Sequence, residues 1–305
     1  MDTNDRLLSV GSQASYPIST LRSMMHGVGK ADPMGQEYYV DGNVSATGDG
    51  SLDYPYSTFA EAAVASSANI ALSANRFWAR RNTIWIAGDD LVEDLVALPQ
   101  KTDVIGCGSS DGYKMACIRG NHVPVDNNVG CRFGNVRFRP AAAEDIWILA
   151  STTGGGLEFH GCLFDAFGPA VTAPSAIDST ALQHLKVVGC DFIGAFSASA
   201  IDIGAGRVDQ MRILNNFILG GAVAGILIAG STTIVQGRMG LINGNVVYAV
   251  GCAIDDGASD TFVVTNNCII SDAATGTASL DVDERLAAGN WYSDGTKSGN
   301  YPVTD

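Results

Sequence analysis

LKVVGCDF (185–192), MRILNNFI (211–218) and GLINGNVV (240–247) are three versions of one eight-residue phrase. The phrase recurs as CRFGNVRF (131–138), LEFHGCLF (157–164), FVVTNNCI (262–269) and RLAAGNWY (285–292). Each runs apolar, any, apolar, any, then a small or amide residue, then Cys, Asn or Val, then any, then apolar. Alternation with a period of two is the mark of a strand, not of a helix. The sixth position falls at Val136, Cys162, Cys190, Asn216, Asn245, Asn267 and Asn290, with spacings of 26, 28, 26, 29, 22 and 23 residues. Repeats of that length build solenoids. A leucine-rich repeat has a similar period but needs L-x-x-L-x-L-x-x-N, which the chain lacks. The reading is therefore a parallel β-helix of about seven to nine coils, built from the middle and C-terminal residues.

A second strand follows the phrase in most coils: AIDI (200–203), GILI (225–228), AIDD (253–256) and SLDV (279–282). Stacked coils sit about 4.8 Å apart, the strand spacing of a sheet, so like residues pile into ladders. Cys162 over Cys190, and Asn216 over Asn245, Asn267 and Asn290, are the expected ladders. A buried Asn ladder satisfies its amides along the stack. Asn and Gly also accept the left-handed backbone that coil corners need.

Outward from the repeats, residues 1–36 show weak periodicity and read as an N-terminal arm. Residues 37–99 supply the first strands, EYYVDGN (37–43) and TIWIAG (83–88), and a helix over 57–73. Thr58 and Glu61 form a T-x-x-E capping box at its start. Coils occupy 100–292. Residues 293–305 are a tail, in which Tyr301 joins Trp291 and Tyr292 as candidates to cover the last coil or meet another subunit. A solenoid needs such caps because its terminal coils expose unpaired edges. The aromatic cluster Phe77, Trp78 and Trp85 reads as core near the helical cap.

Only 16% of the 305 residues are charged, mean hydropathy is +0.14 and there are 36 Gly. This fits many short buried strands joined by tight turns, not disorder. The net charge of −14 repels phosphate backbones and argues against nucleic-acid binding. No apolar run is long enough to span a membrane, so no membrane insertion is expected. The first residues, MDTNDRLLSVGSQ, lack the features of a signal peptide. The seven Cys contain no C-x-x-C and read as small buried hydrophobes made in a reducing cytoplasm, so no metal site is expected from them.

YYVDGN, GDGSLDYPYSTFAEAA, TIWIAG and LPQKTDVIGCGSSDG together resemble the N-terminal part of the pectate-lyase-like β-helix superfamily. The resemblance spans roughly residues 37–292. It implies an all-β fold: a right-handed parallel β-helix with an N-terminal capping helix and an extended N-terminal arm. The short arm running into YYVDGN also looks like the start of virion proteins of tailed bacteriophages: decoration proteins, fibres and tailspikes. That likeness implies a homotrimer located in the virion and made in the host cytoplasm. Its other partners would be virion proteins, met through residues 1–36, and host surface polysaccharide.

The fold hosts lyases, hydrolases and non-enzymes, so chemistry must be sought in side chains. Arg137 precedes Arg139-Pro140, but the R-x-P-x-x-R pattern of pectate lyases is incomplete, and Arg137 reads as a surface ion-pair residue. Polygalacturonase-like hydrolases carry G-H-G and R-I-K, both absent. His26, His122, His160 and His184 are scattered, with His160 and His184 expected one coil apart on an outward face. The catalytic candidates are Asp202, Asp255 and Asp281, at equivalent outward positions of the second strand, with Leu227 in the coil between the first two. Asp255, Asp256 and Asp281 are the candidates for glycan or cation binding. Two coils place Asp202 about 9–10 Å from Asp255, near the carboxyl separation of inverting glycosidases. No cofactor is implied. The leading expectation is a non-enzymatic virion structural protein. The rivals are a polysaccharide-degrading enzyme of the lyase, hydrolase or tailspike depolymerase type, and a sugar-binding module without turnover.

Overall fold

The computed structural model describes residues 7–10, 14–17, 35–72, 80–88, 90–108, 114–125, 130–150, 156–167, 172–179, 184–204, 210–228, 240–255, 262–271, 280–281, 287–293 and 298–299. Phe77, Trp78, Asp256, His26 and Tyr301 lie outside them.

Three parallel sheets run along one axis. The first stacks ten strands, from Glu37–Asp41 through Asn82–Ala87, Thr102–Gly106 and Arg132–Gly134 to Ala287–Ala288. The second runs from Leu91–Val92 to Trp291–Ser293, and the third holds six strands, from Trp147–Ile148 to Leu280–Asp281. Every step within the third sheet is parallel and in register. The chain is thus a parallel β-helix. The strands at 37 and 82 belong to the same sheet as the repeat strands, joined by the pairs Tyr38↔Ile84 and Ile84↔Val104.

The repeat phrase spans the bend between the first and second sheets. Its fifth residue has positive φ in all seven copies: Asn135, Gly161, Gly189, Asn215, Gly244, Asn266 and Gly289, at 54° to 69°. A left-handed residue turns the chain sharply, and only Gly and Asn take that conformation routinely. Its sixth residue then points into the core and is buried in every coil.

The amide ladder forms as the sequence suggested. Asn245 Oδ1 accepts from Asn216 N and Nδ2, both at 2.9 Å. Asn267 Oδ1 does the same for Asn245, and Asn290 Oδ1 for Asn267 at 3.0 Å. Each Nδ2 also donates to a carbonyl across the bend, as Asn245 does to Ile213 O at 3.0 Å. The column continues upward: Cys190 N donates to Asn216 Oδ1 at 2.9 Å, and Cys162 N approaches Cys190 Sγ at 3.4 Å. Amide side chains that bond to their own kind can be buried without the penalty of an unpaired polar group.

Aromatic residues fill the upper core. Phe133 stacks on Phe159, and Phe138, Phe164 and Phe192 form a column, with the Phe164 and Phe192 rings 4.5 Å apart and nearly parallel. Further along, Ile218, Val247 and Ile269 take the same inward positions. Each such side chain contributes about 1.5–3 kcal/mol through burial, and ring pairs add roughly 1 kcal/mol.

The helix, α1 (Phe59–Ala71), begins at Thr58 with the expected capping box. It buries Phe59, Ala62, Ala63, Ser66 and Ile70 against the first strands. Buried polar contacts fix its seat: Ser66 Oγ lies 2.8 Å from Thr102 Oγ1, and Asn82 Nδ2 donates to Ser66 O and Oγ. Residues Leu7–Val10 and Ala14–Pro17 form an antiparallel pair, regular structure that weak periodicity did not announce. At the other end, Ser298–Gly299 pairs antiparallel with Trp291–Ser293, so backbone closes part of the last edge.

Candidate functional site

The third sheet carries the carboxylates. Ile177, Ile201, Ile226 and Ile254 are fully buried and line the core. The next residue in each strand must point outward. Register places Asp178, Asp202, Leu227 and Asp255 in one outward column, and Asp281 at the next register position of that column. Asp202, Asp255 and Asp281 therefore hold the equivalent positions read from sequence, with Leu227 between the first two. Of Asp281 only the backbone position is described, and Asp256 is outside the described residues.

The structure adds Asp178 directly beside Asp202, one strand spacing or about 4.8 Å away along the stack. Burial pushes the Asp178 carboxyl up to about 6, and the charges of Asp202 and then Asp145 push it the same way. Burial also raises Asp202, with Asp145 adding to it. Asp145 sits in the bend before Trp147–Ile148, where its Oδ1 accepts from Ser175 N at 2.5 Å. Burial raises this carboxyl too, against hydrogen bonds from Ser175 that lower it. A like-charged, half-buried pair holds a proton in the range where a general acid operates. The pair of adjacent coils is closer to the carboxyl spacing of retaining glycosidases, about 5–5.5 Å, than to that of inverting ones. Asp202 and Asp255 stand two strands apart, so they do not form the closest pair.

The other charged clusters are structural. Outward positions of the first sheet run Asp103, Arg132, Glu158, Lys186, Arg212 across successive strands. Burial works against the Glu158 anion, but hydrogen bonds from His160 and Lys186, with the charges of Arg132 and Lys186, hold its carboxyl at about 2. His160 lies 2.9 Å from Glu158 and in register with Val188, so His184 is not its stacking partner. Arg137 forms an ion pair, as read from sequence, but one that is largely covered rather than open to solvent. Its guanidinium bonds to Asp165, whose side chain is 1% exposed, because the two positions face each other diagonally across adjacent strands. His122 is fully buried against Trp147 and Phe138, and burial drives it down to about 3, so it stays neutral.

Among the described residues no group of three or more His, Cys, Asp or Glu is arranged to hold a metal ion. An apolar pocket of about 260 Å³ lies between α1 and residues 93–98, lined by Phe59, Ala63, Val64, Val96 and Leu98. It includes none of Asp145, Asp178 or Asp202. No helix among the described residues is long and apolar enough to cross a membrane.

No family model, curated protein or solved structure matches this chain. Asp178 and Asp145 were missed in the sequence, although AIDS (176–179) repeats the AIDI of 200–203.

Proposed function

We propose that the chain is a non-enzymatic structural component of a bacteriophage particle, a decoration, fibre or spike protein that presents its solenoid toward the host surface or its glycans. The supporting observation is the unbroken register from Glu37 to Trp291, sealed inside by the Asn and Cys ladder. Such a stack is stiff, because no coil can shift without breaking its neighbours' hydrogen bonds. The N-terminal resemblance to phage virion proteins supplies the setting. Immunogold imaging and mass spectrometry of purified particles test it. The protein is expected on the particle in fixed copy number. Particles that lack it altogether would refute the reading.

The Asp178–Asp202 pair favours one alternative, hydrolysis of a surface polysaccharide, with Asp178 as general acid and Asp202 as the opposing carboxylate. It calls for release of reducing ends from host polysaccharide, lost in Asp178→Asn. Binding without release would mark a sugar-binding module.

A further inference from the structure

The outward face of the second sheet changes character along the axis. Its upper strands carry Arg119, Arg137, Arg139 and Asp165, held in ion pairs. The next coil presents Asp191 and Ile193. Below it the outward positions are Phe217 and Leu219, then Val246 and Tyr248, then Cys268 and Ile270. Phe217, Leu219, Val246 and Ile270 are 36% to 42% exposed, and Cys268 is exposed. Trp291 and Ser293 take the same two register positions in the following coil. At the bend beside this face, Val223 and Val250 are 52% and 56% exposed.

We infer that this face packs against the same face of a second copy of the chain. Area and charge both point to that occupant. Four strands at about 4.8 Å, with roughly 15 Å of strand length, give a footprint on the order of 300 Å². That is the size of an interface core, to which a polar rim adds the rest of the ~800 Å² each partner of a stable complex buries. A chain of net charge −14 repels its own copies wherever carboxylates face outward. Here three successive coils present no charged side chain, so repulsion is least where apolar burial is greatest. A basic partner would be drawn to the Asp column of the third sheet instead. A second copy brings a sheet of identical strand spacing, which suits face-to-face packing about 10 Å apart. The contact belongs to the purified chain and does not depend on the virion reading.

Sedimentation velocity of the full chain tests it, comparing wild type, Leu219→Glu/Val246→Glu, and Val96→Glu as an exposed apolar control elsewhere. Wild type and the control are expected to sediment as an oligomer, and the double variant as a folded monomer with unchanged circular dichroism. Maleimide labelling of the wild type needs no variant to fold. Cys268 is expected to label more slowly as protein concentration rises, while exposed Cys107 labels at a constant rate. A wild type that is monomeric throughout, an oligomer indifferent to the double substitution, or concentration-independent labelling of Cys268 would each overturn the inference.

Discussion

Asp178 and Asp202 occupy the same register position on neighbouring parallel strands, and the carboxyls of both are raised above the ordinary range. Two half-buried acids side by side cost stability whenever both are charged. For Asp178 the sign is set by a folded pKa of about 6 against an unfolded value near 3.8. The favourable contribution is complete below pH 4 and is lost as pH rises through 6. Asp178→Asn removes the charge and keeps the shape. At pH 7 it is expected to stabilise the chain by about 1 kcal/mol, a figure reduced for solvent screening of a half-exposed group. At pH 4 the gain should vanish. Thermal melts at the two pH values decide it, and destabilisation at pH 7 would mean that the charged pair has a favourable partner.

Asn245 holds four hydrogen bonds of the buried ladder through its side chain: it accepts two from Asn216 and donates to Ile213 O and Asn267 Oδ1. Asn245→Ala strands the two Asn216 donors and removes a donor from Ile213 O, while Asn267 Oδ1 keeps its bond from the backbone of residue 245, in a column sealed from water. The expected cost is about 2–4 kcal/mol, measured by denaturant unfolding. An effect under 1 kcal/mol would show that the ladder is dispensable.

Glycines at the fifth position separate backbone strain from crowding. Gly189 has φ of 61° and nothing within 4 Å of a Cβ, so Gly189→Ala should cost only the left-handed penalty, about 1 kcal/mol. A Cβ on Gly244 would stand 2.3 Å from Asn215 Oδ1, so Gly244→Ala should cost more. Equal losses in unfolding experiments would contradict this ordering.

Glu93 clasps the capping helix. Its carboxylate accepts from Phe59 N at 2.7 Å and Ala60 N at 2.8 Å, amides that have no partner within the helix. Glu93→Ala is expected to weaken the cap by about 1–2 kcal/mol and to speed hydrogen exchange at Phe59 and Ala60 before the coils respond. Uniform exchange across cap and coils would place the effect elsewhere.

The elements most legible in sequence were those whose signal is local. The capping box of α1 is complete within four residues, and the Gly or Asn of each bend precedes its ladder residue directly. The column of carboxylates was harder because the corner that leads to it varies. Asp178 lies 16 residues after Cys162, Asp202 12 after Cys190, and Leu227 11 after Asn216, so no fixed period carries Asp202 back to Asp178. The Arg137–Asp165 pair needs a diagonal relation between strands 28 residues apart, which only register reveals. The exposed second-sheet face was also hidden: Phe217 and Val246 fall on the unconstrained seventh position of the phrase, and Cys268, read as a small buried hydrophobe, is exposed.

Cross-linking tests the stacked register most directly. Lys186 and Arg212 are register partners on the outer face of the first sheet. Cysteines there would have Cα atoms about 4.8 Å apart, within disulfide reach. Leu214 is two residues further along, roughly 8 Å from position 186 and beyond it. The stack predicts, on peptide mass analysis after mild oxidation, a 186–212 disulfide in Lys186→Cys/Arg212→Cys and none in Lys186→Cys/Leu214→Cys. Failure of the first pair to bridge, or equal bridging of the second, would contradict it.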